Sequence, residues 1–167
     1  MAWFNRDIVG KRMRNPVLVV AGLFVATPPA GAAVPDLCGP LRHFVQSVKP
    51  GKTRRLEFHT SWGSDFKDSA GADTVSARRC TDFDYEPAKE VCAYLMEHGA
   101  TEFAGNNAKA AIRCLSKTTR FADRLELDSI QISFSYGTDE RGSNIDLHYS
   151  EDPHLGGMVL SITASGY

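Results

Sequence analysis

The chain has 167 residues, 43% apolar, 23% charged and 10% aromatic, with eight Pro and fourteen Gly; this fits one globular domain and excludes a collagenous or low-complexity chain. A formal charge of −1, with no basic patch or tail, argues against a general nucleic-acid binder, which needs many phosphate-neutralising cations. No stretch reaches the roughly 18 uninterrupted apolar residues of a membrane span.

Arg6, Lys11, Arg12 and Arg14 precede the apolar run 17–26, and Pro28, Pro29 and the small residues 30–33 follow it. A basic stretch, a short apolar run and an A-x-A-like site mark a secretory signal peptide. Residues 1–33 are therefore expected to be cleaved, leaving 34–167 as a single domain without an integral membrane segment. Four of nineteen cations and one of twenty acids leave with the signal, so the mature domain carries about −4.

In the mature domain, Leu37, Leu41, Phe44, Val45 and Val48 recur at helical spacing. They predict a helix over 36–48, opened by Asp36 and stopped at Pro50 and Gly51. Leu56, Phe58 and Thr60 then alternate with Arg55, Glu57 and His59, a half-buried strand whose apolar side Trp62 continues. Residues 63–73 lack a period and read as a loop, and 74–83 return as a weaker strand. Pro87 suits the first turn of a second helix, with Val91, Cys92, Leu95 and Met96 as its stripe and Gly99 as its stop. A third helix starts near Asn106 or Asn107 and buries Ala108, Ala111, Ile112 and Leu115.

The period then changes to two: Ile130, Ile132, Phe134 and Tyr136; Ile145, Leu147 and Tyr149; Met158, Leu160, Ile162 and Ala164. Three strands joined by turns at 137–143 and 151–157 make an antiparallel meander. Leu125 and Leu127 are out of phase with Ile130, pointing to a bulge or a strand start at 128–129. The fold class expected is α+β: an antiparallel sheet of about four to five strands, the meander plus an N-terminal strand or hairpin, packed on about three helices on one face.

Cys38, Cys80, Cys92 and Cys114 all follow the signal, and an even number in an exported domain reads as two disulfides. They place the protein in the periplasm or outside the cell. The chain lacks C-x-x-C and H-x-x-x-H spacing, so neither a metal nor a cofactor is expected. Of three possible pairings, helical spacing favours Cys92 with Cys114 as a staple between successive helices, leaving Cys38 with Cys80.

Two surfaces are candidates for function. Alternation puts Glu57, His59, Gln131, Ser133, Asp146, His148, Ser161 and Thr163 on one polar sheet face, where histidine and carboxylate can support acid–base chemistry; a solvated sheet face uses the same residue types. The loops carry Trp62, Asp65 and Phe66 on one side and Asp139, Glu140 and Arg141 on another, aromatic and charged residues as at protein-binding hot spots. Trp62 and Phe66 equally suit closing the end of the core. Asp82, Asp84 and Glu86 begin like a calcium loop but lack its glycine and terminal glutamate, and read as helix capping. There is no nucleophile elbow, His-Glu-x-x-His, phosphate loop or dinucleotide fingerprint.

The leading expectation is an exported, disulfide-stabilised, non-catalytic protein that contacts a protein partner as an inhibitor or immunity-type factor. One alternative is a small envelope hydrolase using His59 or His148 with Asp146 or Glu57. Another is an envelope structural or assembly factor, which would expose an apolar patch or a sheet edge.

Overall fold

A computed structural model describes residues 36–69 and 74–167. The expected signal at 1–33 and residues 70–73, the end of the loop expected at 63–73, lie outside these residues. In chain order the elements are α1 (Cys38–Gln46), β1 (Thr53–Trp62), β2 (Ser76–Thr81), α2 (Glu86–His98), α3 (Gly105–Leu115), β3 (Ile130–Gly137), β4 (Gly142–Glu151) and β5 (Met158–Gly166). The strands form one antiparallel sheet in the order β2-β1-β5-β4-β3. This is the expected α+β fold, with the meander at one side and the β1–β2 hairpin added to its free strand, β5.

Register converts the period of two into two chemically distinct faces. Leu56 lies opposite Ile162, then Leu147, then Ile132; the next row is Phe58, Leu160, Tyr149 and Ile130. This face packs on Leu41, Phe44 and Val45 of α1, Val91 and Leu95 of α2, and Ala108, Ala111 and Ile112 of α3 in one buried cluster. Each fully buried Leu, Ile or Phe contributes about 1.5–3 kcal/mol of transfer free energy. Cover thins at the far edge, where Ile132, Phe134 and Tyr136 of β3 are only partly buried.

Local chemistry sets the ends of the helices. Asp36 accepts a 2.9 Å hydrogen bond from the Gly39 N–H, satisfying one otherwise unpaired donor at the start of α1. Pro87 stands in the first turn of α2, where its missing N–H is harmless. Between α2 and α3, the buried Asn107 amide donates to the Ala100 carbonyl and accepts from the Ala100 N–H, at 2.8 and 2.9 Å. That bidentate clasp fixes the α2–α3 connection.

The phase break before Ile130 marks the strand start: β3 begins at Ile130, and Leu125 and Leu127 belong to a segment lying across α3. Gly105 permits the approach, since a Cβ there would sit 2.7 Å from the Leu127 carbonyl. Lys109 Nζ donates to the Leu125 carbonyl at 2.6 Å and holds the segment down.

Both disulfides form, but with the pairing the sequence reading did not favour: Cys38 bonds Cys114, and Cys80 bonds Cys92. The reason is geometric. Cys80 lies opposite Phe58 on the helix-facing side of β2, beneath α2, which carries Cys92. Cys114, in the last turn of α3, meets Cys38 at the first residue of α1, and Arg42 Nε also donates to the Cys114 carbonyl. Helical spacing suggested only that Cys92 and Cys114 could staple successive helices; which cysteines actually meet is decided by tertiary packing. Two disulfides fit an oxidising environment. Among the described residues no helix is long and apolar enough to cross a membrane.

Candidate functional site

The polar residues expected together do share a face. Glu57, Ser161, His148 and Gln131 form one cross-strand row, and Arg55, Thr163, Asp146 and Ser133 the next. Much of their hydrogen-bonding capacity is used within the sheet. Ser133 Oγ donates to Asp146 Oδ1 at 2.5 Å, Ser135 Oγ to Asn144 Oδ1 at 3.0 Å, and Arg55 Nε to Ser161 Oγ at 3.1 Å. Asp146 is thus held by a serine rather than by a histidine. His148 is exposed, two strands from β1 and a row away from His59.

His59 behaves differently, because two loops close over its end of this face. Lys67 donates its backbone N–H to Leu155 and its ammonium to the Pro153 carbonyl, tying the loop after β1 to the β4–β5 turn. Phe66 is buried in this closure, with the Arg79 guanidinium 4.8 Å from its ring centroid and Arg79 paired in turn to both oxygens of Asp68. Beneath, His59 is buried, with Nδ1 3.0 Å from Asp152 Oδ2 and Nε2 3.8 Å from Glu57 Oε2. The Nδ1 approach is close but poorly aligned, so that nitrogen lacks a well-directed hydrogen bond. Burial would raise the Asp152 pKa, but the Leu155 and His154 N–H groups and the His59 ring outweigh it and hold the carboxyl below its ordinary 3.8. A histidine–carboxylate contact therefore exists, with Asp152 as a partner that the strand pattern could not supply because it lies in a turn.

The two cavities that stand out lie elsewhere, and none of His59, Glu57, Asp152, Asp146 or His148 lines either of them. The larger, about 690 Å³, opens at the end of the helix-facing side of the sheet, where β1, β5 and β4 run past the helices. Thr60, Met158 and Glu151 are cross-strand neighbours there, and Trp62 extends beyond them. The opposite wall is the α2–α3 connection with Phe103 and the 123–128 segment with Leu125. Trp62, Phe103 and Leu125 are 51%, 58% and 40% exposed, so three large apolar side chains share one cleft. Tyr149 lies at its base; burial first, and then the nearby Asp128 carboxylate, push the phenol up to about 12, so it stays a neutral donor.

The loop residues singled out from sequence divide in space. Trp62 reaches the cleft, Asp65 flanks it in sequence, and Phe66 turns inward as a buried residue. Asp139, Glu140 and Arg141 sit in the β3–β4 turn at the other end of the sheet, about 30 Å away along the length of β4 at 3.3 Å per strand residue. Arg141 is committed there to the Val48 carbonyl at 3.1 Å. The sequence pattern marks Leu125, with Leu127, only as a break in phase and gives no sign of Phe103, because both lie in aperiodic stretches. The available signal was that such residues flank a helix start and precede a phase break. No protein-family model, curated protein or solved structure matches the chain.

Proposed function

We propose that this is an exported, periplasmic or secreted binding protein without catalytic activity, acting through protein–protein contact as an inhibitor or immunity-type factor. One observation carries this reading: Trp62, Phe103 and Leu125 stand exposed around a single cleft. Exposed aromatic surface gathered in a concavity supplies the large apolar area that anchors interfaces. The Asn107 clasp and the two disulfides limit the ordering that binding would otherwise cost.

The test is site-directed photo-cross-linking in the native compartment, with the reactive group at Phe103 and, as a control, at Glu140. A stoichiometric protein partner should be captured from position 103 alone. Trp62→Ala with Phe103→Ala should weaken its binding by about 30-fold or more, as loss of an anchoring aromatic does. Capture from position 140 alone would remove the cleft from the interface and overturn the proposal.

A further inference from the structure

The cleft is apolar at its rim and acidic around it. Glu102, Asp123, Glu126, Asp128 and Glu151 line it, against Lys109 and Arg124. Lys109 keeps its positive charge but is held in place by its hydrogen bond to the Leu125 carbonyl. Among the described residues, none of the five carboxylates forms an ion pair with a cationic side chain; other carboxylates such as Asp36, Asp82 and Asp139 are also unpaired, and what sets the cleft apart is that five line one concavity. With five carboxylates against two cations, the lining carries an excess of three negative charges around Trp62, the largest exposed aromatic among the described residues.

We infer that the cleft receives an extended segment of the partner protein carrying an arginine or lysine next to an apolar side chain. This rests on the binding reading above and adds the partner's chemistry to it. The apolar side chain displaces water from Trp62, Phe103 and Leu125. The cation satisfies carboxylates that the domain leaves unmatched, with its stem along the aromatic faces, where a guanidinium or ammonium is attracted to the ring. The same field repels an acidic segment, giving specificity as well as attraction.

The probe is a phage-displayed random dodecapeptide library, selected on the purified full chain with no assumption about charge. Enriched peptides should carry Lys or Arg beside an aromatic or aliphatic residue, and Trp62→Ala with Phe103→Ala should abolish their binding. Glu102→Gln with Glu126→Gln and Asp128→Asn, all at exposed positions, should lower the affinity of a basic peptide by about tenfold while leaving a Gln-substituted version unchanged. Circular dichroism would confirm that each variant folds. Peptides that depend on Trp62 and Phe103 but show no basic excess would overturn this inference and leave the binding reading standing. Selection of only those peptides indifferent to the aromatic variants would overturn both.

Discussion

The Cys38–Cys114 bridge closes 76 residues of chain and the Cys80–Cys92 bridge only 12, and this asymmetry predicts unequal stabilisation. Loop-closure entropy in the unfolded chain gives about 4.5 kcal/mol for the longer bridge and about 2.8 kcal/mol for the shorter at 25 °C. For a domain of roughly 130 residues, with an unfolding entropy of about 2.1 cal/mol/K per residue, these correspond to falls in Tm of about 16 °C and about 10 °C. The measurement is thermal and urea unfolding of Cys38→Ala/Cys114→Ala and of Cys80→Ala/Cys92→Ala beside the parent. The four cysteines fall on separate tryptic peptides, since Arg42, Arg79, Lys89, Lys109, Arg113 and Lys117 cut around them, so unreduced peptide mapping reads the pairing independently. Equal or greater loss from opening the shorter bridge would refute the entropic argument. A cross-linked peptide joining Cys92 to Cys114 would refute the packing itself.

Three further outcomes follow from the same structure. Leu147→Ala removes a fully buried central side chain and should cost about 2–5 kcal/mol in urea unfolding. Gly157 has φ +73°, and a Cβ there would collide with the Thr60 carbonyl; Gly157→Ala should therefore destabilise by at least about 1–3 kcal/mol, whereas Gly51→Ala, also at positive φ but in open space, should cost less. Asp152 has a lowered pKa, so its stabilising contribution is fully present above the ordinary carboxylate range and is lost as pH falls through the lowered value. Asp152→Asn should accordingly be less stable than the parent at pH 7, with the gap narrowing as pH falls below about 4; a gap that does not narrow with acidification would show that the charge is not its source.

The fold was legible from sequence wherever a period operated over several residues. Ile130 to Tyr136 and Met158 to Ala164 announced strands, and Leu41, Phe44 and Val45 a helix face, because burial of one side imposes the repeat directly. The disulfide pairing was not legible, since four inward-facing cysteines look alike until the ends of α1 and α3 and the β2–α2 pair are placed in space. The cleft was half legible. Trp62 continued a strand's apolar side and so attracted notice, whereas Phe103 and Leu125 join it only through the Asn107 clasp and the close approach that Gly105 allows. Asp152 stayed hidden beside His59 for the same reason: turns bring together side chains that no spacing rule connects.

The position of β5 has a consequence for how the sheet is completed. It is the central strand, yet it follows all four others in the chain. In a chain delivered N-terminus first, β1–β2 and β3–β4 are two unconnected ribbons until residues 158–166 arrive between them, and an isolated two-stranded ribbon is marginal in water. The shorter disulfide can close early within its own 12-residue neighbourhood, but continuous pairing across the sheet waits for β5. Completion of the sheet therefore depends on β5, which pairs locally with β4 but must reach β1 through a non-local contact, the kind of pairing that slows folding. A lesion in residues 158–166 would leave two aggregation-prone hairpins rather than one weakened domain.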